Sequence, residues 1–149
     1  MSDKRRNPEA VETSELLLIV VGAHLGAERH DRPTADSLRS FLAEALADLE
    51  DTPLRPLVCT DIWYLNNDEL RRRPTISVGG PDVNALTANW ASKLPSALAV
   101  DGRYMVQLDL EGIEPIAACW GATHAETRNA VDAFVSRFAR PFLEGAVRA

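Results

Sequence analysis

The chain has 149 residues, of which 46% are hydrophobic and 26% charged, the balance of one globular domain large enough to bury a core without disulfide or metal staples. No apolar run approaches the roughly 20 residues that a bilayer span needs, and a formal net charge of −6 repels a phosphate backbone, so neither membrane insertion nor nucleic-acid binding is expected. The polar start does not read as a signal peptide, and Cys59 and Cys119 match no zinc spacing; together these lead to the expectation of reduced thiols in a cytoplasmic protein.

In chain order, residues 1–14 read as a flexible polar tail and residues 15–149 as a single α/β domain without repeat or linker. "LLLIVV", Leu16–Val21, is continuously aliphatic, as a strand covered on both faces requires, and ends at Gly22. "GAHLGAERHDRP" then reads as a loop, long beside the roughly 2–6 residues usual between strand and helix. Leu38, Phe41, Leu42, Ala45, Leu46 and Leu49 recur at helical spacing, and Thr34, after Pro33, offers an N-cap.

"PLVCTDIWYL", from Pro56, predicts a second strand running into a turn at Asn66–Asp68, and "TISVG" predicts a third. Only about one helical turn of chain separates them, which leaves parallel and antiparallel pairing both open. Val83, Leu86, Trp90 and Leu94 predict a helix that starts at Pro81 and is stopped by Pro95. "RYMVQLDL" and "PIAACWG" read as a hairpin, preceded by a turn at Asp101-Gly102. A capping box, Thr123 to Glu126, opens one long last helix whose face is Val131, Phe134, Val135 and Phe138. The order predicts a three-layer α/β/α sandwich on a mixed, mainly parallel sheet of about five strands.

Ligands of open α/β sheets bind beyond the carboxyl ends of the strands. That rule selects Gly22–Pro33, Asp61–Asp68, Gly79–Asn84 and Trp120–Thr127, and all three histidines, His24, His30 and His124, fall in two of these segments. The glycines of "GAHLG" lack the dinucleotide spacing and no Walker lysine follows a glycine-rich loop, so no nucleotide cofactor is indicated and the cofactor stays unassigned. "GGPDVN" presents a helix start, but Asp82 puts a negative charge where a phosphate would sit, which favours a structural turn.

His124, in a helix first turn, suits a neutral imidazole, with Asp61 as its orienter and His24 as a second base. Cys59, Cys119 and Thr60 are nucleophile types, although both cysteines lie in apolar runs that suit buried small hydrophobes. His24, His30, Asp61 and His124 are metal-ligand types without a diagnostic spacing, so no metal is assigned. Gly79, Gly80, Asn84, Trp120 and Thr123 are the candidate ligand contacts. Trp63 and Tyr64 stand at a strand end as either pocket mouth or core lid.

"ISVGGPDVNALTA" and the later "CWGATHAETRNAV" resemble a pattern in surface-layer and cell-wall-binding domains, over about the last half of the chain. The resemblance implies a Rossmann-like module that binds or assembles and does not catalyse. Gly79, Gly80, Pro81 and Asn84 would then form a turn, and Thr127 and Ala130 would pack the last helix on the sheet. A non-catalytic module that binds a small polar ligand or a protein partner is therefore expected. The rival is a hydrolase or transferase using His24, Asp61 and His124, and a third reading is a homo-oligomer formed through an edge strand or the last helix.

Overall fold

The computed structural model describes residues 12–49 and 52–148. The part of the expected tail at residues 1–11 lies outside them; Thr13–Glu15 make one 3-10 turn that leads into the first strand. Among the described residues six strands form one sheet: β1 (Leu16–Val21), β2 (Arg55–Thr60), β3 (Thr75–Val78), β4 (Ser96–Val100), β5 (Tyr104–Asp109) and β6 (Ile116–Gly121). Five helices accompany them: α1 (Leu25–Ala47), α2 (Asp61–Leu65), α3 (Ala85–Trp90), α4 (His124–Arg137) and α5 (Ala139–Arg148).

The strand order is β2-β1-β3-β6-β5-β4. β1 pairs in parallel with both β2 and β3, and β3 with β6, while β5 runs antiparallel to its neighbours β6 and β4. The open question about the second and third strands thus dissolves, because they do not pair with each other but flank β1 on either side.

Alternation along β1 sorts the layers. Leu17, Ile19 and Val21 point into a core with Ala35, Leu38, Leu42 and Leu46 of α1, Ala130, Val131 and Phe134 of α4, and Phe142 and Leu143 of α5. Leu16, Leu18 and Val20 point to the opposite face, where Tyr64 of α2, Leu70 and Leu86 of α3 cover them. All six residues of β1 are buried, which is why the run contains no polar alternation.

Four boundaries differ from the sequence expectation. The sheet has six strands where about five were expected, because "SALAV" at the β4 edge is half exposed and lacks a strong β signature. β2 stops at Thr60 instead of running to Leu65: the Thr60 hydroxyl accepts the Trp63 N–H at 3.2 Å, so a cap overrides the β-branched and aromatic preference of "DIWYL". Pro81 is not the first residue of α3. It lies in a turn, and the helix starts at Ala85 behind Asn84, whose side chain accepts the N–H groups of Leu86 and Thr87. The expected long last helix is two, broken at Phe138.

The largest difference is α1. The long loop at Gly22–Pro33 does not exist; the helix begins at Leu25, capped by His24, and carries Pro33 inside it. Pro33 lies on the exposed side of the helix, where a carbonyl freed by proline can be satisfied by water. The buried stripe runs Ala27, Asp31, Thr34, Ala35, Leu38, Leu42, Leu46. An acid in that stripe hides its period from a search for apolar residues.

Candidate functional site

The three segments that carry the site start at the carboxyl ends of β1, β3 and β6. β3 sends its chain to α3 on one face of the sheet, whereas its neighbours β1 and β6 send theirs to α1 and α4 on the other. Diverging connections open a crevice above the sheet. A cavity of about 380 Å³ lies there, lined among others by Gly80, Pro81, Asp82, Trp120, Thr123 and His124.

His124 stands where this cavity meets the first turns of α1. Its Nδ1 lies 2.8 Å from Oδ1 of Asp31, which has no solvent exposure. The His30 ring stacks on it with centroids 4.8 Å apart and an interplanar angle of 24°. His24 reaches the same place: a Cβ on Gly26 would be 3.1 Å from His24 Cε1 and 3.7 Å from His124 Nε2, so both rings border the space that Gly26 leaves open.

Gly79 completes the arrangement. Its φ of 115° suits glycine, and a Cβ there would come within 2.8 Å of Asp31 Oδ2. That oxygen has no hydrogen-bond partner among the described residues. Asp31 is therefore a carboxylate in the core stripe of a helix, bonded through one oxygen to His124 and packed through the other against a glycine.

His24 and His124 converge, and His30 joins them. Asp61 does not orient His124; its Oδ1 accepts the Ile62 N–H at 2.7 Å and its Oδ2 the Ala85 N–H at 2.8 Å, so it ties the start of α2 to the start of α3. Asp31 holds His124 in its place. The sign of Asp31 in the sequence is its spacing, four residues after Ala27 and four before Ala35 on one helix face.

Gly80, Trp120 and Thr123 line the cavity. Trp120 donates its indole N–H to Gln107 Oε1 at 2.8 Å, so the ring is braced. Thr123 caps α4, accepting the Glu126 N–H at 3.1 Å. The reciprocal half of the expected capping box is replaced, because Glu126 bonds Arg103 at 2.7 Å and Asn129 at 2.6 Å; these partners hold its carboxyl below the usual range. Asn84 has no polar atom left for a ligand. Its Nδ2 donates to the carbonyls of Val20 and Val78 at 3.0 and 2.9 Å, and its Oδ1 caps α3.

Neither cysteine is a nucleophile. Burial pushes the Cys59 thiol up to about 12 and lifts that of the fully buried Cys119 as well, which keeps both protonated at neutral pH. Tyr64 is core, with its hydroxyl 3.2 Å from Thr75 Oγ1, and Trp63 lies on a separate groove beside β2. Among the described residues no three His, Cys, Asp or Glu side chains are placed to share a metal ion. No helix among them is long and apolar enough to cross a membrane. Comparison with known proteins finds no family model that matches the chain and no curated protein that matches it.

Proposed function

We propose that the chain binds a small polar ligand in the crevice above β3, with His124 as the contact that recognises it. The observation that carries the proposal is the Asp31–His124 pair. Burying a carboxylate is costly, by several kcal/mol for an ion after relaxation, and an apolar residue of similar volume in such a place is often at least as stable. What Asp31 supplies is a fixed orientation of His124, a residue that lines the cavity and whose Nδ1 is engaged. A side chain held at this cost suits recognition better than packing.

The proposal agrees with the binding role implied by the resemblance to surface-layer and cell-wall-binding modules. We place the activity inside the cell: Cys59 and Cys119 are free thiols on β2 and β6, with β1 and β3 between them.

The test is a screen of small polar fragments by amide chemical shifts on the whole chain. Hits should cluster on Gly80, Thr123 and His124, disappear in His124→Ala, and weaken about tenfold in Asp31→Asn, the scale of one charge-assisted hydrogen bond. Hits scattered over the surface, or untouched by His124→Ala, would overturn the proposal.

A second reading, hydrolysis or group transfer, is favoured by the same pair, because a histidine with one nitrogen on a buried carboxylate is the arrangement of a general base. The orienter is then Asp31 in place of Asp61, and water is the nucleophile. Hydrolysis of an activated ester above the buffer rate, lost in His124→Ala, would select this reading.

A further inference from the structure

We propose that the hollow lined by Trp120, Met105 and Ala99 is a second, apolar subsite of the ligand crevice. The ligand is then an amphiphile, with a polar head at His124 and a short apolar tail laid across β5 and β4. This deepens the proposed ligand site and rests on that reading for the polar end alone.

The register of the sheet builds the floor of the hollow. Trp120 of β6 pairs with Met105 of β5, and Met105 with Ala99 of β4. Paired residues share a face of a sheet, so the three side chains form a row about 9.6 Å long, two strand spacings. Their chain neighbours Cys119, Val106 and Leu98 face the core beneath α1 and α4, which puts the row on the opposite face. There α2 and α3 cover β1, and the row belongs to neither core cluster among the described residues. A cavity of about 400 Å³ lies over it.

Trp120 joins this cavity to the first, because Trp120, Gly121 and Ala122 line both. Its indole N–H is bonded to Gln107 Oε1 at 2.8 Å, and its Cε3 lies 3.7 Å from where a Cβ on Gly80 would stand. The ring thus reaches from β5 to the turn after β3. Its brace is fixed in turn: Gln107 is 2% exposed and donates to the carbonyls of Ala91 and Leu94 at 2.8 and 3.0 Å. With its N–H spent inside the protein, the indole offers a ligand only carbon. Water gains no hydrogen bond from the side chains of the row, whereas an apolar group is favoured by the area it removes from water. The charged members of the lining, Asp101 and Arg103, sit exposed in the turn between β4 and β5, and Arg103 is held by Glu126 at 2.7 Å.

Vicinal diols serve as probes, because a diol both donates and accepts and so pairs with His124 whichever ring nitrogen carries the proton. The full chain is labelled on its backbone amides and on the methyl groups of its two methionines, Met1 and Met105. The vicinal diols of propane, butane, pentane and hexane should all shift the Thr123 and His124 amides. As the diol lengthens, the Met105 methyl should shift too, and affinity should rise about threefold per methylene, a little under the roughly fourfold of full burial. An affinity that ignores length, a Met105 methyl that never moves, or shifts gathered at Leu57 and Trp63 would overturn the proposal. So would a Met105 shift that follows protein concentration without diol, which assigns the face to a second copy.

Ala99 is exposed on the edge strand, so Ala99→Asp puts a carboxylate at the far end of the hollow without entering either core. Met105→Gln keeps the side chain's length and makes it polar. Each should cut the gain from propanediol to hexanediol from about thirtyfold to below about threefold, and a full gain in either variant overturns the subsite. The two levels separate in the readouts. If His124 is not the contact, His124→Ala leaves every diol bound while Met105 still responds to length; if the hollow is not a subsite, His124→Ala abolishes binding and the length dependence is missing from the start.

Discussion

Asn84 shows how a single side chain can carry the geometry beneath a site without belonging to it. It is 1% exposed, bridges the carbonyls at the ends of β1 and β3, and caps α3. Removing it would take one hydrogen bond from each of two carbonyls and two helix N–H groups in the interior, and a typical intramolecular hydrogen bond contributes about 0.5–1.5 kcal/mol net. Asn84→Ala should therefore destabilise the chain by about 3 kcal/mol in urea unfolding, a severe effect for one substitution. A change below about 0.5 kcal/mol, the range of ordinary surface substitutions, would show the network to be dispensable. At the same scale Asp31 takes the orienting role that the sequence suggests for Asp61. Both are acids near strand ends, and only contacts made by the folded chain decide which one meets a histidine.

At the scale of elements, the turn Gly79–Asn84 is where strand, helix and site meet. Gly79 adopts a positive φ and leaves the room that Asp31 Oδ2 occupies. In Gly79→Ala the left-handed backbone alone costs about 1–2 kcal/mol, and the new methyl group must displace Asp31. The expected outcome is a lower melting temperature together with a shift of the His124 imidazole resonances. A drop in stability with those resonances unmoved would show that the turn and the histidine pair are independent. How legible each element was follows from how local its causes are. β1 and the start of α4 were legible, because an unbroken aliphatic run and a Thr-x-x-Glu cap are local signals. The start of α1 was not, because Asp31 interrupts its apolar stripe and Pro33 imitates a helix boundary.

For the molecule as a whole, the two-faced core makes stability depend on pH in the alkaline range. The Cys59 thiol rises from 9.0 to about 12 on folding because burial disfavours its thiolate, with smaller opposing and reinforcing effects from Arg32 and Asp61. Cys119 and Tyr64 are raised chiefly by burial too. A raised folded value means the native state keeps a proton that the unfolded chain releases. The contribution is thus fully present below about pH 9 and is lost as pH climbs towards about 12. Between about pH 8 and about pH 10.5 Cys59 alone should remove about 2 kcal/mol from the unfolding free energy. Urea titrations at the two pH values check this, and Cys59→Ala should lose less over the interval. An identical loss in the variant would mean that Cys59 is not the group responsible.

The amino-acid sequence by itself determined the α/β class, the buried central strand, the C-terminal hairpin and the gathering of chemistry-bearing residues at strand ends. Each of these depends on residues within a few positions of one another, where periodicity, caps and turn residues act directly. Only the tertiary structure decided that β2 and β3 flank β1, that "SALAV" closes the sheet edge, and that Asp31 meets His124 across 93 positions of chain. Strand order and side-chain convergence come from two faces of one sheet being covered at once, so they arise from packing between distant segments. His24, His30 and His124 lie in segments the sequence had already singled out; the buried acid that orients His124 became visible only when α1 was laid on the sheet.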